Sequence, residues 1–126
     1  MGTKPFVVRP ELRPPALEVM GGKITVLAPE TAMSDLQITY QTGGEGIGPP
    51  PHHHDWDESF FVTKGEVVFT CDSVTTTCPV GTLVHVPAGM VHTFKFGPGG
   101  GEMLEMTGRG SGAIQMFTRI SQESAR

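Results

Sequence analysis

Glycine and proline interrupt this chain so often that few folds remain open to it. Together they make up 28 of the 126 residues, 17 Gly and 11 Pro. They follow no period, which excludes a collagen-like or low-complexity chain. Between them lie short runs rich in Val, Ile, Thr and Phe, the pattern of many short strands joined by turns. Residues 18–20 and 23–27 flank Gly21-Gly22 as a hairpin, and 29–34 read as a loop. Leu36, Ile38 and Tyr40 alternate with Gln37, Thr39 and Gln41, a half-buried strand by period. Further strands are expected at 59–63, 66–71, 74–78, 83–86, 91–96, 103–106 and 113–120, with loops at 97–101 and 108–112. No segment of ten residues keeps a helical repeat, and 121–126 read as a helical turn or disorder. The proline-rich residues 1–16 suggest an extended surface arm. The sum is an all-β barrel or sandwich, one domain over residues 1–126.

The chemistry concentrates between Gly46 and Glu58, where three prolines lead into His52, His53 and His54, followed by Asp-Trp-Asp-Glu. On an extended chain His52 and His54 point to one face and His53 to the other. Imidazole nitrogen with carboxylate oxygen suits first-row divalent metals better than calcium or magnesium. Glu58 shares the parity of His54, but straight strand would separate them by roughly 13 Å. Side chains reaching for one ion span only about 11 Å, so joint ligation requires a bend at Asp55-Trp56-Asp57. A surface histidine cluster without metal is the competing reading of this stretch.

Net charge is −4 and no basic cluster is present, which disfavours nucleic acid and anionic membrane as partners. No leader sequence or membrane span is visible, so a soluble cytoplasmic protein is expected. Cys71 and Cys78 flank Asp72-Ser73, a two-residue hairpin turn that pairs 71 with 74 and 67 with 78. That register keeps the two sulfurs apart, and both are expected reduced.

A second constellation runs from Gly81 through Pro87 and Gly89 to His92. His85 and His92 each read, alone, as ordinary strand histidines. Taken together, the two stretches resemble the cupin superfamily. Its first motif is a glycine, five residues, His-any-His, three or four residues, Glu, six residues and a glycine. Gly46, His52, His54, Glu58 and Gly65 hold those places. Its second motif is a glycine, five residues, proline, one, glycine, two, histidine, three and asparagine. Gly81, Pro87, Gly89 and His92 fill it, with Phe96 in place of the asparagine. The motifs and their 66–80 spacer cover residues 46–96.

The resemblance implies a cupin-type double-stranded β-helix, a jelly-roll barrel of two antiparallel sheets, as a homodimer. It implies one divalent transition metal (Fe, Mn, Ni, Co, Cu or Zn) held by His52, His54, Glu58 and His92. Such a site binds a small-molecule substrate through two oxygens and lowers its pKa. Glu58 is the one candidate general base. By parity Phe60, Val62, Phe94 and Phe96 line the pocket, with Tyr40, Ile38, Met103 and Met116 from neighbouring strands. Glu66, Lys64 and Glu105 are expected to face solvent. The mostly apolar wall favours a hydrophobic or aromatic substrate. A dioxygenase similar to the quercetin 2,3-dioxygenase type comes first. A non-redox lyase, isomerase or cyclase, or a non-catalytic ligand-binding module, are the alternatives.

Overall fold

The computed structural model describes residues 5–28, 35–108 and 110–124; the loop expected at 29–34 lies outside them. Among the described residues seven strands run β1 (Leu17–Val19), β2 (Gly22–Ala28), β3 (Leu36–Gly43), β4 (Glu58–Cys71), β5 (Val74–Pro79), β6 (Leu83–Val86) and β7 (His92–Gly108). A helix, α1 (Ala113–Ser124), follows. All pairings are antiparallel, in the order β1-β2-β3-β7-β4-β5, with β6 on the free side of β4. Residues 5–16 form no strand; a 3₁₀ turn at Pro10–Leu12 is flanked by Arg9 and Arg13 in extended conformation. Arg13 places its guanidinium 4.8 Å from the centroid of the Tyr40 ring.

The layers arise because β4 and β7 are long and bend together. Inward side chains on β4 have even parity at Phe60 and Val62, then odd parity at Val67 and Phe69. Two register shifts lie between, at Val62/Lys64 and Gly65/Val67, and each such bulge bends a strand and re-aims its side chains. On β7 the buried parity changes from 92, 94 and 96 to 101, 103, 105 and 107. Gly65 sits at this crossing with φ +68°, where a Cβ would lie 2.3 Å from Gly100 O. Past the bend the sheet folds onto itself, so Phe60 meets Phe69 at 5.1 Å and Phe94 at 5.8 Å. Val62, Val67, Cys78, Val86, Phe96 and Met103 complete this core. The result is a jelly-roll barrel whose two layers share β4 and β7 rather than two separate sheets.

The β4–β5 hairpin has the expected register, Cys71 opposite Val74 and Val67 opposite Cys78, and both cysteines are free. Asp72 and Ser73 both have positive φ, as a turn matching strand twist requires. Three readings are corrected. Segments expected as separate strands, 59–63 with 66–71 and 91–96 with 103–106, are single strands β4 and β7, and the loop expected at 97–101 lies within β7.

The strand expected at 113–120 is helix α1. Its partly and fully buried residues Ala113, Met116, Phe117 and Ile120 fall at helical spacing, and Phe117 and Ala113 pack on Ile24. On β3 the buried face is Gln37, Thr39 and Gln41, while Leu36, Ile38 and Tyr40 face outward. The polar face is inward because its amides and hydroxyl have partners there: Gln37 Nε2 donates to Ser111 O, and Gln41 Nε2 to Glu105. Among the described residues, no helix is long and apolar enough to cross a membrane.

Candidate metal centre

Three prolines hold the approach to the histidines extended, and the chain then bridges to β7. His52 N donates to His92 O at 3.0 Å and His92 N to His52 O at 2.8 Å. This pairing puts the His52 and His92 rings 4.2 Å apart. The chain bends at Asp55 and Trp56, and Asp57 Oδ1 pins the bend by accepting from Ala88 N at 2.8 Å. That turn brings Glu58, the first residue of β4, back beneath His54. Gly46, Gly81 and Gly89 lie in turns and Gly65 at the bend within β4, all with φ between 68° and 92°.

One donor atom from each of His52, His54, Glu58 and His92 lies within 4.8 Å of the others. Two donors on one ion at about 2.1 Å stand at most about 4.2 Å apart, so small side-chain movements would close the sphere. Glu58 and His92 are buried, at 3 % and 2 % exposure. Glu58 Oε2 lies 2.9 Å from His92 Nε2, and Oε1 lies 3.9 Å from His54 Nε2. Glu58 Oε1 is buried without a hydrogen-bond partner among the described residues, and the polar contact of His92 Nε2 is the Glu58 carboxylate itself. A buried polar atom is seldom left unpartnered, and a cation at the cluster would satisfy it. Nδ1–H of His52 donates to Pro50 O at 2.8 Å, and that of His92 to Met90 O at 3.0 Å. Those bonds fix the proton on Nδ1, so each ring when neutral presents Nε2 as its ligand atom. His92 Nε2 donates to Glu58 only when that ring is protonated. The residues present therefore fit a divalent transition metal.

Burial pushes the His52 and His54 pKa values down, which keeps both rings neutral. Burial acts the same way on His92, but the bond to Glu58 and the Met90 carbonyl outweigh it and raise its pKa. Burial pushes Glu58 up, and the bond from His92 with the proximity of His54 more than offsets it, so the carboxyl lies below its usual range. Glu105, expected in solvent, is instead buried beside Glu58. Burial and then the charge of Glu58 raise its pKa well above the carboxylate range. Gln41 Nε2 and Thr39 Oγ1 donate to it at 3.1 and 3.4 Å. The pairing of Thr39 with Glu105 across β3 and β7 creates this polar cluster.

His52, His54 and Glu58 open into a cavity of about 310 Å³, and His92 completes the cluster outside its lining. Phe60, Phe94 and Phe96 line it as parity indicates, and Met116 lines it from α1 rather than from a strand. Val62 and Met103 do not reach it; both are wholly buried in the core. Tyr40 and Ile38 also lie outside it, on the outer face of β3, where the Tyr40 hydroxyl donates to Glu102. His53 is exposed but touches the rim, and His85 is outside the site, with Nδ1 2.9 Å from Ser59 Oγ. Sequence reasoning missed Ile24, Ile47, Phe117 and Ile120 in the wall, and Gln41 and Glu105 as its polar groups.

Residues 37–105 match the family described as Cupin domain. Among solved structures the chain is similar to an RmlC-like cupin from Shewanella frigidimarina, with 18% identity, TM-score 0.76, and 90% and 99% of the two chains covered. It is similar to the polyketide cyclase RemF from Streptomyces resistomycificus, with 18% identity, TM-score 0.76, and 86% and 82% covered. A predicted oxalate decarboxylase from Thermotoga maritima gives 19% identity, TM-score 0.70, and 82% and 99% covered. At these identities the likeness shows the fold. No curated protein matches the chain.

Proposed function

We propose, from the premise that this chain belongs to the cupin domain family, that it is a metal-dependent enzyme acting on a small apolar or aromatic substrate. One observation carries this reading: His52, His54 and Glu58, which cluster with His92, open directly into a largely apolar cavity of about 310 Å³. A bound divalent transition metal would supply Lewis acidity toward a substrate enolate or hydroxy-ketone and, where redox-active, reaction with dioxygen. Three neutral imidazoles and one carboxylate would leave the centre cationic and able to attract such an anion. Phe60, Phe94 and Phe96 offer ring faces and edges to an aromatic substrate and exclude water from it. Glu58 is the group placed to take a proton from a substrate at the centre.

Dioxygenase chemistry of the quercetin 2,3-dioxygenase type is the first reading, supported by the full ligand set and the apolar wall. Non-redox cyclase, lyase or isomerase chemistry is the second. It is favoured by the buried carboxyl of Glu105, a proton-carrying group beside the ionised Glu58. The similar fold of a polyketide cyclase agrees with that alternative.

Elemental analysis of protein purified without chelator is expected to find stoichiometric metal in the wild type and in His53→Ala, and far less in His92→Ala. Equal, negligible metal in all three would defeat the metal-centre reading. Oxygen uptake with flavonols and β-diketones then divides the chemistries. A fully loaded protein that consumes no oxygen with any of them is a non-redox enzyme or a ligand-binding module.

A further inference from the structure

Two of the three inward histidines are held by the same device, and the third is not. His52 and His92 each donate Nδ1–H to a backbone carbonyl two residues earlier. Among the described residues His54 has no such bond. Its ring lies flat against the Trp56 indole, with centroids 4.5 Å apart and planes 5° from parallel. Trp56 Nε1 is itself buried without a hydrogen-bond partner among the described residues. Packing therefore sets the angle of the indole, and that packing comes from the mouth of the barrel. Trp56 joins the cluster of Ile24, Ala113 and Phe117, with Val19 and Met116. At Gly112, just before α1, a Cβ would stand 3.1 Å from Trp56 Cζ3, so a larger residue there would press on the ring.

We propose that Trp56 is a positioning residue that orients His54 toward the metal and couples that orientation to the docking of α1. The inference rests on the metal-centre reading and adds a mechanical link to it. Metal-ligating histidines are oriented by a partner on the far side of the ring, and loss of that partner weakens metal binding. Trp56 supplies for His54 what the carbonyls of Pro50 and Met90 supply for the other two. Met116, Phe117 and Ile120 of α1 also line the cavity, so a substrate that presses on α1 acts on His54 through the indole. Binding couplings are reciprocal: metal should tighten α1, and loosening α1 should weaken metal.

The test is zinc affinity of the chelator-stripped full chain, read by competition with a chromophoric chelator. Trp56→Leu is expected to bind Zn(II) about 10–100-fold more weakly than wild type. Trp56→Phe, which keeps a ring to stack, should recover most of that loss. Gly112→Val should weaken binding by about tenfold without touching a ligand. In the wild type alone, zinc should slow amide hydrogen exchange in α1. Wild-type affinity in a folded Trp56→Leu overturns the proposal, as does exchange in α1 that zinc leaves unchanged. A wild type that binds no zinc removes the metal centre and this inference with it; equal affinities remove only this inference.

Discussion

Glu105 shows what a single side chain can impose on this barrel. It is buried at 4 % exposure beside another carboxyl, and burial, then the Glu58 charge, raises its pKa well above that of an exposed glutamate. The folded state therefore holds the Glu105 proton more tightly than the unfolded state does. Stability from this group is fully present below the ordinary carboxylate pKa and is lost as pH rises toward the folded value. Glu105→Gln, which keeps the shape and removes the titration, should make the metal-stripped protein more stable than wild type at neutral pH. Its advantage should shrink as pH falls toward the ordinary carboxylate range. Urea midpoints across that range measure the difference, and a gap independent of pH would rule the account out. Glu105 was not legible from sequence because an acidic residue between Leu104 and Met106 reads as the outward member of an alternating strand. Only the pairing of Thr39 with Glu105 shows that inward polar groups await it. His52, His54, Glu58 and His92 were legible because ligand spacing survives in sequence whereas cross-strand partners do not.

The elements depend on a few glycines more than on strand propensity. β4 and β7 cross at Gly65, where positive φ and a Cβ position 2.3 Å from Gly100 O both exclude a side chain. Gly65→Ala should destabilise by about 1–3 kcal/mol or more, from backbone strain and the displaced β7. Gly44→Ala, whose Cβ would meet nothing within 4 Å, should change stability by less than about 0.5 kcal/mol. Equal losses at the two positions in chemical denaturation would contradict this account of the bend. The same glycines explain why most strands were legible but their continuity was not. Gly97 to Gly101, with Pro98 among them, has the composition of a loop, yet β7 hydrogen-bonds through it to make the bend. Helix α1 was hidden for the opposite reason. Ile114, Phe117, Thr118 and Ile120 favour a strand by type, and packing of Ala113 and Phe117 on Ile24 overrides that preference.

At the scale of the whole molecule, the barrel brings three imidazoles and a carboxylate together around one point. Glu58 Oε1 is buried without a hydrogen-bond partner among the described residues, and such a group weakens a fold until something binds it. A metal that binds the folded chain and not the unfolded one adds about 2.7 kcal/mol of stability at a hundredfold excess over Kd. For a chain of 126 residues that is a rise in Tm of roughly 10 °C. His92→Ala should show little of this rise. The effect should also depend on pH, because each imidazole must be neutral to ligate. His52 and His54 are lowered by burial and so protonate after His92 as pH falls. His92, raised overall once Glu58 and Met90 outweigh its burial, protonates first as pH falls. The metal-induced gain should therefore decline as His92 takes up its proton, while His52 and His54 are still unprotonated. In Glu58→Gln the carboxylate that raises His92 is gone, so whatever metal-induced rise remains should persist to lower pH than in wild type. Thermal melts with and without zinc across the mildly acidic range measure both slopes, and a decline at the same pH in the two proteins would refute the assignment to His92.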